Sequence, residues 1–250
     1  DLSLAFRGFV TTIGAKTPVE IHCEDRMFRL KQQEARKLAY KSATVEEVLR
    51  DQNLGVPFRV FGEQRIGQFR VTASTVTELL GQLKDQGGIR SFFRLEEGEP
   101  VLYSGVLFER EASVRQVFAT GVNLIDDTQL EVQNAEDLKI KVRAISLLPN
   151  NKRVRIDVGD ADGEKRTLHA YNKNEQELRA WAEQELRRLK QDGLKGTFTT
   201  FGAVLIDKLD HIGIRIDGIR RGVYQVQKNI IKYGTDGFRQ EITIGKRVMQ

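Results

Sequence analysis

Beyond Glu109 the sequence turns mostly to strand patterns, several with apolar side chains at every second position, and that period limits what the chain can fold into. Lys139-Ile140-Lys141-Val142-Arg143-Ala144-Ile145 alternates strictly, as does Arg153-Val154-Arg155-Ile156-Asp157-Val158 after a turn at Pro149-Asn150-Asn151. A period of two places alternate side chains on opposite faces of an extended chain, so these runs predict half-buried strands. Asp160-Ala161-Asp162-Gly163 reads as the next turn and Lys165 to Tyr171 as the next strand. Four more strand patterns follow, at 196–206, His211 to Ile216, Val223 to Ile231 and Phe238 to Ile244. One helix interrupts them, at about 175–190. Leu178, Trp181, Ala182, Leu186 and Leu189 form its apolar stripe, Asn174 can cap it, and Gly193 ends it. Arg187, Arg188 and Lys190 complement its C-terminal dipole. Turns at this spacing predict a β-barrel or sandwich with one helix over 109–250.

The N-terminal part reads differently. Leu2, Leu4 and Phe6 alternate, Phe9-Val10 carries the run toward Ile13, and Gly14 to Pro18 turns the chain before Val19 to Cys23 resumes it. Glu24 to Lys31 closes this segment as a turn or short helix, and 1–41 is read as an N-terminal β segment. From Ser42 the period changes. Thr44-Val45-Glu46-Glu47 and Thr75-Val76-Thr77-Glu78 are two capping boxes, each opening a helix. Val45, Val48 and Leu49 share one face of the first, which Gly55-Val56-Pro57 breaks. Val76, Leu79, Leu80 and Leu83 share a face of the second, which Gly87-Gly88 stops. Ile89 to Leu95, a turn at Glu96 to Glu99, and Val101 to Phe108 read as a hairpin. Residues 42–108 are thus helix, short strand, helix and hairpin, a small α+β domain. The predicted class is α+β, mainly β.

Composition removes several function classes. At 250 residues and 28.5 kDa, with 40% hydrophobic and 30% charged residues and only 4 prolines, the chain is neither disordered nor collagen-like. No run of about 18 apolar residues occurs, so no membrane span is predicted. Asp1 to Arg7 has neither a basic region nor a long apolar stretch, so no signal peptide is read there. The chain also opens without Met and inside an alternating pattern, and is expected to be a fragment or trimmed product lacking upstream strands. Forty Lys and Arg against 35 Asp and Glu leave +5, a mildly basic balance far from that of a dedicated nucleic-acid binder. Cys23 is the only cysteine, so an intrachain disulfide is impossible and a Cys-based zinc site would need more ligands. It is expected to pack as a small hydrophobe.

No catalytic constellation emerges. The phosphate-binding G-x-x-x-x-G-K-[ST] order is absent, since Gly193-Leu194-Lys195-Gly196-Thr197 does not match it, and the dinucleotide, H-E-x-x-H and G-x-S-x-G motifs are missing too. His22, His169 and His211 fall in three different strand-like segments, where structural or surface roles are expected. Asp160 and Asp162 look calcium-like, but without a twelve-residue loop and terminal Glu they read as a solvated hairpin tip. Glu24-Asp25 is an acidic pair that a cell-wall-active glycosidase could use. Such enzymes place two carboxylates about 5 to 9 Å apart across a cleft, whereas neighbours on a strand point to opposite faces. Lys139, Lys141 and Arg143, then Arg153 and Arg155, then Arg215, Arg220 and Arg221 offer a basic sheet face, the basis of an alternative nucleic-acid-binding barrel. Stacking aromatics should interleave there, yet Phe and Tyr fall mostly among apolar positions. The reading assigns no catalytic, cofactor-binding or metal-ligating residue. Its anchors are core residues, Trp181 foremost; Trp181→Ala is expected to cost about 3 to 5 kcal/mol if the ring is fully buried.

The whole-chain pattern resembles a family. Gly222 to Val226, then Ile230-Ile231-Lys232-Tyr233-Gly234-Thr235-Asp236-Gly237-Phe238-Arg239-Gln240-Glu241-Ile242-Thr243-Ile244-Gly245, looks like the final hairpin of tailed-phage baseplate hub proteins. These comprise the late control D proteins, the Mu-type 43 kDa tail protein and, more distantly, the VgrG spike proteins of type VI secretion. Leu186 to Gly202 is similar to the helix-then-strand entry into that barrel. Phe6-Arg7-Gly8-Phe9-Val10 with Pro18 to Asp25 matches the family's F-x-G-x-V strand and following acidic strand end. Residues 42–108 fall where the family carries its intervening domain. The resemblance implies two β-barrel-like domains flanking that insert, the first, to which 1–41 would belong, not present in full. With no appended lysozyme or effector domain expected, it argues against an activity on this chain. The resemblance implies a non-enzymatic hub of a phage, prophage or related contractile injection machine. In it a homotrimer forms a pseudo-sixfold ring joining tail tube to spike. Its partners would be copies of itself and the tail-tube and spike proteins, with no membrane, and with nucleic acid only as DNA passing through the channel. It would be assembled in the bacterial host cytoplasm and located in the virion.

Overall fold

A computed structural model describes residues 4–62, 64–106, 108, 113–148, 150, 152–216 and 219–248, and for 219–221 the backbone alone. The architecture is α+β and mainly β. The chain groups into two compact units: Asp1–Phe108 with Arg143–Asp157 and Thr167–Ala182, and Glu109–Val142 with Val158–Arg166 and Glu183–Gln250.

In the first unit, β1 (Phe9–Ile13) and β2 (Ile21–Glu24) form an antiparallel two-stranded ribbon, followed by α1 (Met27–Gln32). Leu4 and Phe6 lie outside any strand, and Leu2 lies outside the described residues. β3 (Ala39–Thr44), which the sequence reading did not place, leads into α2 (Val45–Asp51). β4 (Phe58–Phe61) and β5 (Arg65–Arg70) stand where one short strand was expected, and they enter different sheets. β5 pairs antiparallel with β3, whereas β4 pairs in parallel with β7 (Glu99–Gly105). Between them run α3 (Val76–Gly87) and β6 (Arg90–Glu96), which forms the expected hairpin with β7. Leu107 lies outside the described residues.

Both capping boxes form. Thr44 Oγ1 accepts from the Glu47 amide at 3.1 Å while Glu47 Oε2 accepts from the Thr44 amide at 2.7 Å. Thr75 and Glu78 repeat the exchange at 3.2 and 3.3 Å. Gly88 ends α3 in the left-handed region at φ 70°, and a Cβ there would meet the His169 ring at 2.5 Å, so only glycine fits. Such caps contribute about 1 kcal/mol each. Burying a Leu, Ile or Val contributes about 1.5–3 kcal/mol, and Leu30, Val45, Val48, Leu49, Val76, Leu79, Leu83, Ile89 and Leu102 are all buried in one cluster. The caps therefore set where the helices begin, and the cluster holds them in place.

Beyond residue 113 come β8 (Val114–Ala119), β9 (Leu124–Asp126), β10 (Leu130–Gln133) and a 3-10 turn at Ala135–Asp137. Next are β11 (Ile140–Leu147), β12 (Arg153–Gly159) and β13 (Glu164–Tyr171), forming a sheet in the order β12-β11-β13. The strict alternation of β11 appears as buried Ile140, Val142, Ala144 and Ser146 with half-buried residues between. Pro149 and Asn151 of the expected turn lie outside the described residues. α4 (Glu175–Leu189) follows, with Asn174 Oδ1 accepting from the Glu177 amide at 3.0 Å. Only Leu178 and Ala182 of its stripe are buried; Trp181 is half-buried, so it is not the core anchor expected.

The second unit is built on β14 (Gly193–Phe201), β15 (His211–Ile216), β16 (Ile219–Gly234) and β17 (Gly237–Val248). Gly193 opens β14 directly after the α4 exit. The sheet runs β10-β14-β17-β16-β15-β8, with β9 also on β14 and β8 parallel to β15. A bridge between Thr120 and Leu124 links the end of β8 to β9, and the sheet encloses a core of its own. Phe118, Phe198, Ile212, Ile214, Tyr224, Val226, Ile242 and Ile244 fill that core. Gln240, fully buried, holds the 202–208 loop to it: Nε2 donates to Val204 O at 2.7 Å, and Oε1 accepts from the Ile206 amide at 3.0 Å. A buried amide satisfied in this way fixes one loop position, because any other leaves it unpaired.

Candidate assembly surfaces

The acidic pair is committed to local structure. Glu24 Oε2 lies 2.5 Å from Lys31 Nζ, and Asp25 Oδ1 accepts from the Met27 amide at 2.8 Å at the start of α1. Each carboxylate is thus engaged by a neighbouring group. His22 is exposed on β2, His169 is half-buried on β13 and His211 is buried on β15. No group of three or more His, Cys, Asp or Glu residues with metal-binding geometry occurs among the described residues. Asp160 and Asp162 fasten a turn. Asp160 Oδ2 accepts from the Ile140 amide at 2.9 Å and meets Lys190 Nζ at 2.5 Å, and Asp162 pairs with Lys139 at 2.7 Å. Lys190 first, and the Ile140 amide next, hold the Asp160 carboxyl below the usual carboxylate range. The Gly193–Thr197 stretch is strand, not a phosphate loop. At Gly196, φ 118°, a Cβ would lie 1.9 Å from the Gln129 carbonyl oxygen, so the glycine serves close strand packing.

The basic strands are interleaved with acid. Arg143 binds Asp157 through Nε and Nη2, both at 2.8 Å, and with Lys139 on Asp162 this neutralises part of the expected cationic face. Arg215 is exposed; the side chains of Arg220 and Arg221 lie outside the described residues.

What the structure leaves open is β surface. In the β1–β2 ribbon Val10 lies opposite Cys23 and Ile13 opposite Ile21, so the four share a face. The other face packs on α1, where Phe9 stacks against Phe28 at 5.6 Å and Arg29 sits 4.7 Å over the Phe9 ring. The first face is bare: Val10 is 55%, Ile13 66% and Ile21 59% exposed. Cys23 is exposed with them, which corrects the buried position expected for it; a two-stranded ribbon has only one covered face here. The second open surface is the far end of the β16–β17 hairpin. β15 accompanies β16 only as far as Gln225. From Ile230 to Gly234 no strand lies on the outer side of β16 among the described residues, and Ile230, Ile231 and Tyr233 are 37%, 40% and 87% exposed. Its signal in the sequence is the broken alternation of Ile230-Ile231-Lys232-Tyr233, which puts apolar groups on both faces next to a turn. An open apolar edge is a pairing template that native proteins cover.

No family model matches the sequence, and no curated protein is similar to it in sequence. Solved structures are similar to it in fold. The tail protein of Neisseria meningitidis MC58 superimposes with a TM-score of 0.64 over 96% of this chain and 79% of that one, at 14% identity. The two chains share a fold. The 43 kDa tail protein of prophage MuSo2 from Shewanella oneidensis gives 0.53 over 95% of this chain and 75% of its own, at 17% identity. The E. coli c3393 protein, a type VI secretion component structurally similar to the T4 tail proteins gp27 and gp5, gives 0.53. That match covers 98% of this chain and 63% of the other, at 12% identity. The expected likeness to the Mu-type 43 kDa tail protein therefore holds at the level of fold.

Proposed function

We propose that the chain is a structural component of the baseplate hub of a phage or prophage tail, or of a related contractile injection machine. Three copies close into a ring around a channel and join the tail tube to the spike. The observation that carries this reading is the fold likeness to a tail protein along 96% of the chain. The open β surfaces support it physically, since a closed ring covers edges that an isolated subunit exposes. Its partners are copies of itself and the tail-tube and spike proteins; its place is the virion, after assembly in the host cytoplasm. The reading gives the chain no reaction, cofactor or metal. Glu24 and Asp25, the residues a glycosidase would use, act instead as an ion-pair partner and a helix-start acceptor. Light scattering of the purified protein tests the reading, through the mass of the particle in solution.

A further inference from the structure

The two open surfaces are of the same kind and differ in charge. Each belongs to an antiparallel ribbon whose outer edge is unpaired among the described residues, and each is apolar where it is bare. β2 offers four extended residues, Ile21–Glu24, and β16 has an uncovered stretch of similar length from Ile230 to Gly234. Beside the first stands the 79% exposed Glu20 carboxylate; beside the second stands the exposed Lys228 ammonium. On β16, Ile231 and Tyr233 lie opposite Gln240 and Phe238 and share their face, whereas Ile230 shares a face with Lys232. The face of Ile231 and Tyr233 is therefore the more apolar of the two, and it continues the one that Gln240 and Ile242 turn into the core.

We infer that the β2 edge of one copy pairs with the Ile230–Gly234 edge of β16 in the next copy, with Cys23 and Ile21 on the same face as Ile231 and Tyr233. The occupant of each ribbon is a second copy of this chain. Two different patches meeting head to tail form a heterologous contact, which generates a ring when the rotation closes. Main-chain hydrogen bonds supply the pairing, and the apolar faces exclude water from it. The inference rests on the ring reading and names its joint.

Cys23, the only thiol, makes the joint testable. Facing residues of neighbouring strands lie about 4.5–5.5 Å apart, within the span a disulfide bridges. Three variants, Ile230→Cys, Ile231→Cys and Tyr233→Cys, are oxidised mildly and run on a non-reducing denaturing gel. Ile231→Cys or Tyr233→Cys should give bands at two and three times the chain mass, which dithiothreitol removes. Ile230→Cys and the unmodified protein should give none, and Cys23→Ser should abolish the bands. Melting curves identify any variant that fails to fold, and its neighbour then reports in its place. If the protein assembles by light scattering but neither Ile231→Cys nor Tyr233→Cys cross-links, or all three cross-link alike, the joint is wrong and the ring stands. If the unmodified protein is a monomer, the ring itself is wrong.

Discussion

His169 lies on β13 with its ring against the backbone of Gly88, half out of water. Burial first, then the guanidinium groups of Arg153 and Arg90, hold its pKa below the ordinary imidazole value. The unfolded chain therefore binds a proton in a range where the folded chain does not. Stability present at neutral pH is lost as pH falls through about 6.5 and below. Urea midpoints between about pH 7 and about pH 5 should fall less steeply for His169→Gln than for the unmodified protein. Equal slopes would contradict this account of the site. On α4 the ranking of side chains differs from what the sequence suggests. Leu178→Ala should cost about 2–5 kcal/mol, and Trp181→Ala should cost less than Leu178→Ala, because Leu178 is fully buried and Trp181 is not. Denaturant titration of the pair checks the order. Residue burial was only partly legible in the sequence. A stripe at helical spacing says which side chains share a face, but not how far the surface opposite extends. Cys23 fails for the same reason: alternation puts it on a face with Ile21, and only the packing shows that the face is exposed.

At the scale of elements, local chemistry was the most readable signal. Thr44 and Thr75 satisfy helix N-termini as their spacing to Glu47 and Glu78 predicts, and Asn174 caps α4 as expected, because those bonds lie within one turn. Thr75→Ala should lower stability by about 1 kcal/mol, and Thr75→Ser should recover most of it. A thermal melt in which Thr75→Ala matches the unmodified protein would show that α3 is fixed by packing alone. Strands whose partners are distant were less legible. β3 lies in a charged segment, and its partner is β5; β4 runs parallel to β7, from across α3 and β6. The three short strands β8, β9 and β10 have little alternation of their own and are held by β15 and β14. Such pairing is decided by tertiary contacts, which a short run does not encode.

For the whole molecule, the class α+β and mainly β was legible from the switch between two periods, and the likeness to tail proteins from the order of elements. The candidate surfaces were not, apart from the broken alternation at Ile230-Ile231. The exposed ends of the ribbons read in sequence as ordinary strands, since a period of two does not distinguish a face that meets a core from one that meets a neighbour. Bare Val10, Ile13, Ile21, Ile231 and Tyr233 have a physical explanation if copies cover them. Light scattering on the purified protein across a wide concentration range tests this most directly. A particle of three times the 28.5 kDa chain mass is the expected result. A monomer whose mass does not change with concentration would contradict it.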